Sequence, residues 1–196
     1  MYVPGHANHT WSADFMADAL WSGRHFRTFN VNDDFNRESL RIEIDTSLPS
    51  TRVIRALNEP VELRAAPRRL RLDNGPEFIS AALRQRAQRQ GIDLLHIQPG
   101  KPTQNAYIER FNRTYRTEVL DRYVFTSLHE VRRMTEDWRH RYNHQRLPSR
   151  TGQALASRLR HGIISHLYFR LTRKSEDATN AHNLPRIGNK SSFGSR

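Results

Sequence analysis

Apolar and polar side chains alternate near the start of the chain with the two-residue period of a β-strand. Trp11, Ala13 and Phe15 are separated by polar residues. The pattern therefore places Asp14 on the face opposite the aromatic side chains. A turn signal follows and predicts that the chain returns as a second strand over 25–31.

A third strand is predicted by the alternation further along the chain. Leu40, Ile42 and Ile44 alternate with charged residues, which is typical of an antiparallel strand with one buried and one solvent-exposed face. The acidic residues Asp33 and Asp34 precede this strand. We interpret them as turn-forming rather than catalytic, because aspartate side chains stabilise turns. Three strands in meander order are expected.

Two helices and two short strands are predicted next. Apolar spacing favours a helix over 50–59, and Pro60 is expected to end it because proline lacks an amide hydrogen and clashes with the preceding turn. A strand over 70–72 leads directly into a turn signal, so Asp73 is expected at the end of that strand. A helix over 80–90, with Ser80 as its N-cap, and a strand over 93–97 follow.

Two amphipathic helices complete the predicted fold. After a loop over 98–104, one helix carries Glu109 on one side and a buried stripe on the other, namely Ile108, Phe111, Tyr115 and Val119. The last helix, over 128–142, has its own apolar stripe, in which Trp138 is expected to be a core residue rather than a base-stacking platform. The order of elements predicts an α/β fold with a mixed five-stranded sheet flanked by helices.

Charge and composition narrow the class of partner. The chain of 196 residues and 23.0 kDa has a formal net charge of +12 and a pI of about 11.0, so nucleic acid is the expected partner. It contains no cysteine, which excludes disulfides and thiolate metal sites. No stretch approaches the roughly 20 apolar residues of a membrane span, and the N-terminus lacks a signal-peptide pattern. A soluble, cytoplasmic protein without membrane association is expected.

Three acidic residues stand where chemistry is possible: Asp14 on the first strand, Asp73 at the end of the fourth, and Glu109 on the helix after the fifth. Glu109 alone is most simply a surface ion pair. If the first and fourth strands are neighbours, however, Asp14 and Asp73 project on one side of the sheet, and the helix can bring Glu109 beside them. Clustered carboxylates need a cation between them, and oxygen ligands suit Mg²⁺ or Mn²⁺. Because two such ions promote phosphodiester chemistry, we interpret the three residues as metal ligands for phosphoryl transfer.

Several sequence blocks connect these residues to a known family. They are Trp11–Phe15, Val31–Glu38, Leu72–Phe78, Pro99–Asn112 and Trp138–Arg146. In these blocks the chain resembles the catalytic core of the retroviral-integrase superfamily, in particular bacterial insertion-sequence transposases encoded as two overlapping reading frames (OrfA/OrfB). Between Asp73 and Glu109 lie 35 residues, which is the spacing of that family's Asp-Asp-35-Glu triad.

The resemblance implies a fold, a cofactor, a reaction and partners. It implies a ribonuclease H-like fold, two divalent ions (Mg²⁺ or Mn²⁺), and DNA strand cleavage and transfer, with Asp14, Asp73 and Glu109 as catalytic metal ligands. The implied partners are transposon-end and target DNA, further copies of the chain in an active homo-oligomer, and an upstream-frame helix-turn-helix protein. The implied location is the bacterial nucleoid.

Basic and amide side chains around the third acidic residue are candidates for holding DNA. Lysine and arginine near a phosphoryl-transfer site position the phosphate backbone. The expected DNA contacts are Lys101, Asn105, Arg113 and Arg116. For the two arginines the alternative is a solvated helix surface. The histidines show no ligand spacing and are assigned no metal.

The chain also departs from the family pattern. Relatives carry a helical DNA-binding region before the first aspartate, so recognition of transposon ends is expected to be missing, and after Arg146 the family's usual ending is not found. The expected organisation is an irregular lead-in over 1–10, a catalytic core over 11–146, an extension with one short helix over 147–171 and a disordered tail over 172–196.

Three functions are compatible with these observations. The favoured one is metal-dependent DNA cleavage and strand transfer by a transposase core. The second is a truncated, inactive remnant that binds DNA through charge, which predicts salt-dependent binding without metal-dependent cleavage. The third, a nuclease acting on RNA–DNA hybrids, predicts hybrid cleavage without strand transfer.

Overall fold

Five strands and four α-helices make up the described part of the chain, which comprises residues 4–98 and 102–145 of a computed structural model. The strands are β1 (Thr10–Ala19), β2 (His25–Asp33), β3 (Ser39–Asp45), β4 (Arg69–Leu72) and β5 (Asp93–His96). The helices are α1 (Ser50–Arg64), α2 (Ala81–Arg89), α3 (Ala106–Tyr115) and α4 (Leu128–Gln145), with a 3₁₀-helix at Pro102–Asn105 and a π-helix at Arg116–Leu120. The short helix and disordered tail predicted for 147–196 lie outside the described residues.

The strands form one mixed sheet in the order β3-β2-β1-β4-β5. The first three pair antiparallel as a meander, and β4 and β5 add parallel strands on the other side of β1. The predicted mixed sheet is therefore confirmed. In particular, the first and fourth strands are neighbours, with Ser12 of β1 opposite Arg71 of β4.

Hydrophobic side chains cover both faces of the sheet in two separate clusters. On one face Trp11, Phe29 and Leu70 pack with α1 and α2. On the other face Ile42 and Ile44 pack with α3, the π-helix and α4. The predicted stripes on α3 and α4 lie in this second cluster, and Trp138 is only 5% exposed, which confirms it as a core residue. None of the described helices combines the length and the apolar character that a membrane crossing needs.

Helix α1 does not end at Pro60, so that prediction is wrong. The helix continues through the proline to Arg64, although an interior proline costs about 3 kcal/mol. Pro60 is buried, and contacts beyond the helix hold its last turn. The Arg64 side chain pairs with Glu38, and the Asn8 side-chain amide donates to the Arg64 carbonyl at 2.9 Å. Tertiary contacts thus outweigh the local cost of the proline.

The predicted solvent-exposed face of β3 is also wrong in part. Glu43 is 8% exposed and pairs with Arg41 at 2.5 Å and with Arg52 of α1 at 2.7 Å. Helix α1 therefore covers a face that alternation alone assigns to water. Leu40 packs in the cluster opposite that of Ile42, because the β2–β3 register shifts between Val31 and Asn32.

Candidate active site

Asp14 and Asp73 lie at the same edge of the sheet because β1 and β4 run parallel. The pairing of Ser12 with Arg71, continued for two residues, brings β1 to Asp14 and β4 to the residue that follows its last member. Strand ends at such an edge are where sites form in open sheets. The sheet topology thus brings the two predicted aspartates together.

The loop after β4 holds the Asp73 carboxylate in place. The Gly75 amide donates to Asp73 Oδ1 at 2.8 Å. A Cβ on Gly75 would lie 3.0 Å from the same oxygen, so the absence of a side chain permits this close approach. The Asn74 side-chain amide donates to the Ile97 carbonyl at 2.9 Å, which ties the loop to the end of β5.

The far end of this loop is anchored in the core beside β1. Phe78 is fully buried and stacks on Phe15 with ring centroids 4.9 Å apart. Glu77 pairs with Arg27 of β2, whose guanidinium lies 4.1 Å from the centre of the Phe15 ring. Since Phe15 follows Asp14 directly, these contacts tie the two aspartate segments to one another.

A pair of asparagines attaches α3 to the sheet next to Asp14. The Asn112 Nδ2 group donates to Asp14 Oδ2 at 2.9 Å. Its Oδ1 atom accepts from Asn30 of β2 at 2.8 Å, and Asn30 is the residue opposite Asp14 in the β1–β2 ladder. Because Glu109 precedes Asn112 by one helical turn, this clamp also brings Glu109 towards the aspartates.

Residues Asn30 and Asn112 were not singled out for this role by sequence reasoning. The available signal was a polar residue directly opposite Asp14 in the predicted hairpin and another one turn after Glu109. Both signals become specific only when the strand register and the helix position are known.

The surroundings of Asp14 disfavour its charged form. Burial raises the pKa of Asp14 to about 6, the amide hydrogen bond from Phe15 opposes this rise, and the charges of Asp73 and Glu109 reinforce it. Glu109 is exposed on α3, whereas the two aspartates are half-buried. The acidic groups therefore destabilise the charged form of Asp14, a penalty that a bound cation would remove.

The chemistry of these donors fits a hard divalent cation. All three are carboxylates, which suit Mg²⁺ and Mn²⁺. Within residues 4–98 and 102–145, no three histidine, cysteine or acidic side chains converge closely enough to form a complete metal site. The charges of Asp73 and Glu109 thus act on Asp14, but the three acids do not form a closed ligand set.

The predicted DNA contacts occupy different environments. Asn105 is 2% exposed, so its side chain does not face solvent in this conformation. Arg113 is exposed on α3. Arg116 is engaged with the protein, since it pairs with Asp18 at 3.4 Å and donates to the Ala17 carbonyl at 2.8 Å. Lys101 lies outside the described residues.

The remaining acidic candidates are structural. Asp33 is fully buried and accepts from the Phe35 amide at 2.8 Å, so the predicted turn role is confirmed for it. Asp34 does more than form a turn, because it accepts from Ser12 Oγ at 2.6 Å and pairs with Arg71 at 2.7 Å.

Comparison with known proteins identifies the family. The chain matches the integrase core domain over residues 4–102, and a second integrase core domain description matches residues 90–154. The chain belongs to the integrase core family. A protein of insertion element IS476 from Xanthomonas euvesicatoria is 45% identical over 74% of this chain and 42% of its own length. The transposase of insertion sequence element IS629 from Shigella sonnei is 27% identical over 77% of this chain and 51% of its own length.

The similarity covers only part of the related proteins. The chain spans about half the length of the curated relatives it matches. A cryo-EM structure of the simian T-cell lymphotropic virus intasome in complex with PP2A regulatory subunit B56 gamma aligns with 95% of this chain and 58% of the matched chain, at a TM-score of 0.53 and 18% identity. That likeness confirms the ribonuclease H-like fold of the integrase core.

Proposed function

We propose that this chain is the catalytic core of a bacterial insertion-sequence transposase, with the core spanning residues 11–146. It would cleave a DNA phosphodiester at a transposon end and transfer the freed 3′ hydroxyl to target DNA. Membership of the integrase core family and the insertion-element relatives support this proposal. The observation that carries it is the position of Asp14 and Asp73 at one edge of the sheet, with α3 bonded to Asp14 through Asn112, one turn after Glu109.

Asp14, Asp73 and Glu109 would hold two Mg²⁺ or Mn²⁺ ions. Such ions, when bound, stabilise the negative charge that develops on phosphate oxygens during displacement. The chain's own contribution is to orient the ligands. Asn112 fixes one oxygen of Asp14, and the Gly75 amide fixes one oxygen of Asp73, which leaves the other Asp73 oxygen free of hydrogen bonds from the described residues.

The partners follow from the same proposal. A net charge of +12 favours binding of transposon-end and target DNA, and exposed Arg113 would contact a phosphate beside Glu109. Lys101 remains a candidate for a further contact, and Asn105 would contact DNA only if its buried side chain became exposed. We include in the proposal a homo-oligomeric active form, an upstream-frame helix-turn-helix partner and a location on the bacterial nucleoid.

Metal removal tests this function. The substrate is a labelled duplex that carries the terminal repeat found in the DNA flanking the gene, and the products are nicked and joined strands on a denaturing gel. We expect nicking and joining with Mn²⁺, none in excess EDTA, and recovery when Mn²⁺ is restored, because the carboxylates act only through the cation. Nicking that persists in EDTA would contradict the proposed chemistry. Salt-dependent binding without nicking at any metal concentration would instead favour an inactive DNA-binding remnant.

A further inference from the structure

The β1–β2 hairpin extends beyond the proposed active site. Strand β4 pairs with β1 only over Thr10–Ser12, whereas the β1–β2 ladder continues to Ala19 and His25. Ala19, the last residue of β1, follows Asp14 by five residues, which corresponds to roughly 16 Å at about 3.3 Å per residue, and Trp21 lies in the turn beyond it. The tip is therefore an arm that reaches past the acidic residues.

The tip carries an exposed apolar patch. Trp21 is 78% exposed, and the Trp21 amide donates to the Phe125 carbonyl at 2.8 Å, which joins the hairpin to the segment after the π-helix. In that segment Tyr123 is 45% and Val124 is 67% exposed. The other two tryptophans of the chain, Trp11 and Trp138, are buried. Clustered exposure of this kind marks an interaction surface.

The charge around the patch is positive. Arg24 and Arg122 are exposed in the same two segments, and within residues 4–98 and 102–145 neither forms an ion pair. The nearby acids Asp18 and Asp121 are both paired with Arg116. The patch thus presents an indole together with two uncompensated guanidinium groups.

We propose that this hairpin tip binds unpaired DNA bases several nucleotides from the cleavage point, with Trp21 stacked on a base and Arg24 and Arg122 on neighbouring phosphates. Aromatic stacking combined with cationic contacts is the chemistry by which proteins bind single strands. An apolar protein partner fits less well, because it would bury two unpaired charges. The distance from Asp14 to the end of β1, roughly 16 Å, corresponds to about five nucleotides at the roughly 3.4 Å per-strand spacing of a duplex. The proposal rests on the proposed function, since it places the scissile phosphodiester at the acidic residues.

Tryptophan fluorescence tests the stacking directly. The full chain is titrated in EDTA with a single-stranded oligonucleotide and, separately, with a fully paired duplex. Trp21 is the exposed tryptophan, so base stacking is expected to quench its emission with the single strand. Trp21→Phe should abolish that quenching and keep the affinity, measured by anisotropy of a labelled oligonucleotide, within about twofold, because an aromatic ring remains.

Truncation of the Trp21 side chain tests its contribution to the binding of single-stranded DNA. Trp21→Ala should weaken single-strand binding roughly 5- to 100-fold and leave duplex binding nearly unchanged. Leu63→Ala, which truncates an apolar side chain that is 46% exposed on α1, is the control. It should change neither the affinity for the single strand nor the affinity for the duplex. Unquenched emission, or equal affinity of Trp21→Ala and wild type for the single strand, would overturn the proposal. Loss of self-association in Trp21→Ala without an effect on DNA would overturn it in favour of a contact between copies.

The two proposals fail in different ways. Binding is measured in EDTA and needs no catalysis, so quenching without nicking by the wild-type chain in Mn²⁺ rejects the proposed transposase activity alone. If the wild-type chain nicks DNA and Trp21→Ala does not change its affinity for the single strand, only the hairpin contact is rejected.

Discussion

Asp73→Asn is expected to reduce Mn²⁺-dependent nicking and strand transfer on the order of a thousandfold. An asparagine keeps the shape of the side chain, and its carbonyl oxygen can still accept the Gly75 amide that Asp73 accepts at 2.8 Å. The substitution removes the negative charge, which is what a divalent cation requires. Because metal stabilisation of the transition state is worth several kcal/mol, and each 1.36 kcal/mol is tenfold in rate, a loss of this size follows. Initial rates on the terminal-repeat duplex measure it.

Asp93→Asn is the matched control for this change. Asp93 begins β5, at the end of the strands opposite Asp73, and its side chain is 65% exposed with Arg69 at 3.9 Å. The same chemical substitution there should leave nicking within about twofold of wild type, since a surface ion pair contributes roughly 0–1 kcal/mol. If the two variants lost nicking activity equally, or if Asp73→Asn nicked within tenfold of the wild-type rate, Asp73 would not be a catalytic metal ligand.

Asp34→Ala is expected to lower the free energy of unfolding by about 3–5 kcal/mol, because removing one partner leaves the other charge buried and unpaired. Burial raises the pKa of Asp34, and the Ser12 hydroxyl and the Arg71 guanidinium oppose this rise. The side-chain exposures are 0% for Asp34 and 11% for Arg71, so water cannot replace the lost carboxylate. Urea unfolding followed by circular dichroism measures the change.

Asp93→Ala serves as the control for stability, because its ion pair lies in solvent and should contribute no more than about 1 kcal/mol. Asp34→Asn separates charge from shape, since it keeps a group that can accept from Ser12 but loses the pair with Arg71. An Asp34→Ala protein that unfolds at the same urea concentration as Asp93→Ala would show that the pair contributes little.

Local alternation was sufficient to predict the meander and the side of β1 on which Asp14 lies. The period of two assigns Trp11 and Phe15 to one face and Asp14 to the other, and the Asp14 bond to Asn112 of α3 confirms that assignment. Short connections leave few alternatives for three consecutive strands, which is why the order of the first three strands was correct.

The errors arise where tertiary contacts decide the outcome. The local sequence predicts that the helix ends at Pro60. The contacts of Arg64 and the burial of Pro60 instead stabilise the last turn, and α1 continues to Arg64. The pattern of β3 places Glu43 in water, yet Arg52 of α1 covers it. The sequence of α1 gives no sign of the contacts made by Arg64, and the sequence of β3 gives no sign of the pair between Glu43 and Arg52.

In the candidate site, some features could be predicted from the local sequence and others depend on tertiary contacts. The position of Asp73 at a strand end could be predicted from the turn that follows it, and the position of Glu109 from the helical stripe. Their proximity to Asp14 depends on the parallel register of β1 and β4 and on the clamp from Asn30 through Asn112. The engagement of Arg116 with Asp18 likewise appears only when α3 is placed along β1.

We propose that Asp14, Asp73 and Glu109 together form one metal-binding site. Crystals of the chain soaked in Mn²⁺ test it most directly, because the anomalous signal of manganese locates the ion without reference to activity. We expect an anomalous peak in contact with the carboxylates of Asp14 and Asp73, with Glu109 drawn towards it. Manganese bound only elsewhere on the protein, at a concentration that supports nicking, would show that these three residues do not form the metal-binding site.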